Sequence, residues 1–172
     1  LTLPFMIGMS QTTVGLVVLA AVRIPPGATL EACASAVLSG VLFGFGGVLG
    51  LRVLFTQEVS RTIPVMQSGP IFAALLALIV LDESISLLQW LGIVETVIGS
   101  AVLSLRTTAG LGGIFLHRSF YFLMLAALML GASNVVGKVA LDELPILTTH
   151  GLRMLALGLV FALFSWRTTP WA

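Results

Sequence analysis

A single cysteine, Cys33, stands in 172 residues, which excludes a disulfide framework and any multi-cysteine zinc site. Charge is equally scarce: Asp, Glu, Lys and Arg make up 9% of the chain, where soluble domains carry roughly 25%. A net charge of +1 leaves no basic footprint for nucleic acid. No run of about ten residues alternates apolar with polar side chains, so a membrane β-barrel is not expected. The signatures G-x-x-x-x-G-K-[ST], H-E-x-x-H and G-x-S-x-G are missing. The two histidines, His117 and His150, lie in different segments. Neither enzyme chemistry nor a cofactor is expected.

What is present is apolar mass: 58% hydrophobic residues, few of them aromatic, and 18 glycines. Mean hydropathy is +1.14. A bilayer core about 30 Å thick needs about 20 helical residues. Six stretches reach that length, at residues 3–22, 32–51, 62–81, 84–105, 119–141 and 144–166. Of all the charged residues, only Glu95, Lys138 and Arg153 fall inside them. The first stretch lacks the basic start and short apolar core of a signal peptide. The expectation is an all-α, polytopic, multi-pass bundle of six membrane-spanning helices, with lipid as its surroundings.

The connections are short. Asp82-Glu83 and Asp142-Glu143 each mark a tight hairpin, and Pro25-Pro26-Gly27 interrupts the Arg23–Glu31 connection. Residues 107–118, with Gly110, Gly112 and Gly113, read as a linker between two helical units. Arg52, Arg61, Arg106, Arg118 and Arg167 fall on one face of the membrane, and Arg23 alone on the other. Taken by itself, that arginine imbalance places the first face in the cytoplasm.

Local chemistry singles out a few positions. Pro70 sits mid-span behind Gln67, Ser68 and Gly69. Broken helices at that depth can line a binding site, and a plain proline kink is the alternative. Gly40, Gly44, Gly46, Gly47 and Gly50 read as a close-packing face, with Gly131, Ala132, Ser133, Asn134 and Gly137 in a similar role. Asn134 reads as a bond across helices in preference to a substrate contact. Glu95 lies at the centre of its stretch, and a charge at that depth costs roughly 2.5–3.5 kcal/mol. Gly92 and Gly99 share its helical face, so it is expected to point into a small-residue groove. There it would be a proton or cation site, or one half of a structural ion pair. Arg153 is its best partner by depth, whereas Lys138 can snorkel to the interface.

Pro70 after its small polar cluster, the run ending Leu81-Asp82-Glu83, then Gln89-Trp90-Leu91-Gly92 and Gly99, resemble the fourth and fifth helices of an EamA-type repeat of the drug/metabolite transporter superfamily. Lys138, Pro145 and Arg153 resemble the opening of its second repeat. The resemblance implies ten helices in two inverted repeats, of which this chain supplies helices two to seven. Residues 1–106 would be the last four helices of one repeat, and 119–172 the first two of the next. It further implies alternating-access transport of a small metabolite or drug-like solute, secondary active, in the cell membrane. It reverses the orientation given by the arginine count. Gln67, Ser68, Pro70, Glu95, Asn134 and Arg153 are the expected substrate or ion pathway. The alternative is a non-transporting membrane subunit whose small-residue faces serve assembly, including a homo-oligomer.

Overall fold

The computed structural model describes residues 3–57, 59–107 and 118–167. Among them the chain is all helical: α1 (Leu3–Ala21), α2 (Leu30–Thr56), α3 (Val59–Met66), α4 (Gly69–Val80), α5 (Leu87–Thr107), α6 (Arg118–Leu141) and α7 (Ile146–Arg167). Residues 108–117 of the expected linker lie outside the described residues. Four helices, α1, α2, α6 and α7, are long and apolar enough to cross a membrane. The other two expected spans are not matched in that form. The third is divided into α3 and α4, of 8 and 12 residues, or about 12 and 18 Å at 1.5 Å per residue. The fourth has Leu87–Gly99 as its apolar helical segment, which is shorter than a span.

Local signals account for these ends. Thr29 caps α2, its hydroxyl accepting the Ala32 N–H at 3.2 Å. Ser86 and Gln89 form a capping box at the start of α5: the Gln89 N–H donates to Ser86 Oγ at 3.3 Å, and the Ser86 N–H to Gln89 Oε1 at 2.8 Å. That box delays α5 to Leu87, three residues beyond the expected start, so the connection after α4 is longer than Asp82-Glu83 alone. Asp82 takes a left-handed backbone with φ 51°, a conformation Asp tolerates better than most residues, and α4 stops there. The Asp142-Glu143 hairpin is longer than its two acidic residues, because α7 starts only at Ile146, and the Leu144 N–H returns to the Ala140 carbonyl at 2.9 Å.

The described chain divides into two compact units, residues 1–48 with 133–172, and residues 49–132. In the first unit the usual sidedness of a soluble protein is inverted. The buried residues of α1 are Pro4, Gly8 and Gly15, while Met9, Leu16 and Val17 are exposed. Small residues inside and large aliphatic ones outside is the arrangement of helices packed in lipid. The core repeats it: Ala32, Ala36, Ala140 and Leu144 cluster together. Along α2 a small residue recurs every fourth position, Ala32, Ala36, Gly40 and Gly44, which keeps the seam on one face.

Helix α7 is the common partner in this unit. It runs antiparallel to α1: a Cβ on Gly8 would meet the Gly158 carbonyl at 3.0 Å, and one on Gly15 the Gly151 carbonyl at 2.9 Å. It runs parallel to α2, where a Cβ on Gly44 would meet Val160 at 2.8 Å and one on Gly47 would meet Phe161 at 2.9 Å. Phe45 and Phe164 close that seam edge to face, with ring centroids 5.3 Å apart.

In the second unit α3 and α5 pack together, and α4 lies backbone to backbone on α6. A Cβ on Gly131 would stand 2.9 Å from the Gly69 carbonyl and 2.8 Å from the Ala73 nitrogen. Of the glycines expected to pack, Gly40, Gly44, Gly47, Gly131 and Gly137 therefore do so within their own units, as does Gly50 against the Met66 side chain.

Candidate functional site

A polar cluster in the first unit centres on Arg153, the eighth residue of α7. Helices α2 and α6 approach closely enough for a reciprocal pair of serine bonds. Ser39 Oγ donates to the Ser133 carbonyl at 2.9 Å, and Ser133 Oγ donates to the Ser39 carbonyl at 2.7 Å. Both side chains are fully buried. Gly137, one helical turn along α6, permits this approach, since a Cβ there would come within 2.9 Å of Ser39 Oγ.

The Arg153 guanidinium reaches this clasp from α7. Its Nη2 donates to Ser133 Oγ at 3.0 Å and to Asn134 Oδ1 at 2.9 Å. Its Cζ lies 5.0 Å from the centre of the Phe43 ring, a cation–π distance. Asn134 thus bonds across helices, as expected. Both hydrogen-bond acceptors of Arg153 are neutral, and Glu95, its expected partner, belongs to the other unit. At the hairpin end of the same unit the Thr29 hydroxyl donates to the Glu143 carboxylate. The exposed His150 precedes Arg153 by one turn and takes no part in the cluster.

The second unit holds the other expected residues. Helix α3 ends at Met66, and Gln67 and Ser68 form the break. Ser68 Oγ donates to the Val65 carbonyl at 2.6 Å. Pro70 stands in the first turn of α4, where its missing N–H is one that no helix would satisfy. The break is real, but Pro70 opens a new helix; it does not kink a continuous one and free the Met66 carbonyl. Gln67 is exposed and Ser68 half-buried.

Glu95 departs from expectation. It is exposed on α5, and a Cβ added at Gly92 or Gly99 would find no atom within 4 Å. The small-residue groove expected around it is open. A cavity of about 280 Å³ in this unit is lined by Leu49, Arg52, Val53, Thr56, Ser119 and Phe122. It falls just under the usual ligand range of about 300–1,000 Å³. Among the described residues no cluster of His, Cys, Asp or Glu could hold a metal ion.

Sequence reasoning missed Ser39, whose neutral hydroxyl carries no signal of its own. Its position one residue before Gly40, on a helix of small residues, was the available hint. The serine clasp should be measurable by a double-mutant cycle. Ser39→Ala and Ser133→Ala are each expected to lower stability in detergent unfolding. Their coupling should approach ~1–2 kcal/mol, the upper range for hydrogen bonds between membrane helices. Additive effects would place the two bonds outside the stabilising contacts.

No family model, curated protein or solved structure matches this chain.

Proposed function

We propose that this chain is part of an EamA-type membrane transporter that moves a small metabolite or drug-like solute by alternating access. One observation carries the reading most directly. An arginine well inside an apolar helix is held by neutral side chains, Ser133 and Asn134, and ionisable groups at that depth mark solute and ion pathways. The division of the third apolar stretch into α3 and α4 adds support, since interrupted helices recur at transporter sites. In this proposal both that stretch and α5 also span the membrane, giving six crossings: the last four helices of one inverted repeat and the first two of the next. Asn134 and Arg153 are the pathway residues of the first unit, and Gln67, Ser68 and Pro70 those of the second.

A second reading, a non-transporting subunit, is favoured by the open glycine face of α5, where Gly92 and Gly99 leave room for another helix. Uptake by the full-length protein in proteoliposomes, against a panel of metabolites, separates the two: transport of no compound selects the subunit. Within the transport reading, Gln67→Leu should reduce uptake about tenfold at normal membrane abundance. Pro70→Ala replaces a first-turn proline and is expected to change stability by less than about 1 kcal/mol. A loss of uptake in Pro70→Ala is then a pathway effect. Unchanged uptake in both variants retires the break as part of the pathway.

A further inference from the structure

The Arg153 cluster has an imbalance that its structural role does not explain. Nη2 spends both hydrogens on Ser133 Oγ and Asn134 Oδ1. The three remaining N–H donors, on Nε and Nη1, have no acceptor among the described residues. Nη1 faces the Gly137 side of α6, where a Cβ would stand 3.6 Å from it. Within its own unit the cluster has no compensating negative charge either. The acidic residues of the same unit, Glu31, Asp142 and Glu143, all lie at helix ends or in the hairpin. Arg153 lies about 10 Å along α7 from its start, at 1.5 Å per residue. Glu143 is already engaged by the Thr29 hydroxyl.

A structural clasp between α6 and α7 needs a donor, and a neutral amide would satisfy the same two acceptors. A guanidinium in this place adds a cost of roughly 2.5–3.5 kcal/mol on insertion scales, and its strongest partners are carboxylates and phosphates. The open donors lie beside a glycine and behind an exposed asparagine, so an acceptor can approach. The cation–π contact with Phe43 stabilises the guanidinium from its face and leaves its edge free.

We propose that Arg153, positioned by Ser133 and Asn134, binds an oxyanion, and that the solute carries a carboxylate or phosphate group. This rests on the transport reading for its consequence, and on the geometry of α6 and α7 for the site itself. The same chemistry is offered by a lipid headgroup phosphate, and the test separates the two sources.

The experiment is site-resolved phenylglyoxal modification of the wild-type full-length protein, read by mass spectrometry, so that no variant has to fold. The probes are mono- and dicarboxylates, inorganic phosphate and sugar phosphates, each paired with its neutral amide or parent sugar. In maltoside micelles, which carry no phosphate, at least one anion should slow modification of Arg153 about tenfold, as a charge-assisted pair would. Its neutral counterpart should leave the rate unchanged, as should every probe at the loop residue Arg23. Equal protection by neutral counterparts overturns the proposal, and so does protection by no anion. Protection in phospholipid nanodiscs without any solute, absent in micelles and not increased by solutes, assigns the site to lipid and also overturns it. The protecting anions are then offered for uptake in proteoliposomes. Protection without uptake keeps the oxyanion site and removes the transport reading. Uptake confined to neutral or cationic solutes, with Arg153 unprotected, removes the oxyanion site and keeps transport.

Discussion

Replacing Gly40 by alanine should cost about 3 kcal/mol or more, at or beyond the upper end of typical overpacking effects. The added methyl would overlap the Arg153 carbonyl oxygen and lie 2.8 Å from the Ala156 Cβ. Backbone and a β-carbon cannot rotate out of the way, so α7 has to retreat from α2. That retreat pulls the Arg153 side chain off Ser133 and Asn134, and the helix seam and the polar cluster fail together. Thermal unfolding in detergent and membrane abundance report the loss. Gly99→Ala is the matched control: its methyl meets nothing within 4 Å, and alanine is the better helix former by about 1 kcal/mol. Equal stability of the two variants would show that the α2–α7 contact is not tight.

Gly15→Leu should have a comparable effect on a different contact. The new Cβ would stand 2.8 Å from the Leu155 nitrogen and 2.9 Å from the Gly151 carbonyl, and the rest of the leucine has nowhere to go between two backbones. Helix α1 is expected to separate from α7 at a cost of about 3 kcal/mol. The Ser39–Ser133–Arg153 cluster, which draws nothing from α1, should survive. Nitroxides on Met9→Cys and Leu159→Cys, both exposed positions, in a Cys33→Ala background, read the separation. Their distance distribution should broaden in Gly15→Leu, and the Ser39–Ser133 coupling should persist. A narrow, unchanged distribution would refute the seam.

These two sites show what the residue order carries and what it leaves open. Gly40, Gly44 and Gly47 were legible as a packing face because they crowd one helix, but no periodicity says that α7 is the partner. Gly8, Gly15, Gly151 and Gly158 are spaced seven apart and passed unnoticed, because one glycine every second turn leaves no local excess. They matter only as pairs across two helices. For Glu95, depth along the helix was readable, whereas the direction of its face depended on which neighbour α5 takes. For Pro70 the break was readable and its register was not. Ser68 and the start of α4 at Gly69 move the proline from the interior of one helix to the first turn of the next. Arg153 and Asn134 were legible singly, one from depth and the other as a polar side chain on a small-residue face. That they meet, over a clasp containing Ser39, follows from a small-residue approach of α2 to α6 that only three dimensions display.

The placement of α7 as shared partner has a consequence for how the protein is made. Gly8 finds its partner Gly158 about 150 residues later in the chain. At roughly 5–20 residues per second, α1 waits for something like 8–30 s in or near the membrane before its contact exists. Through that interval its glycine face and the α2 seam are open to any passing helix. The tight Asp142–Pro145 connection then delivers α7 alongside α6, and with it the one surface that fits both. Ribosome-bound nascent chains halted before α7 is made and after α7 has cleared the ribosome would therefore differ sharply in how readily α1 and α2 crosslink to foreign membrane proteins.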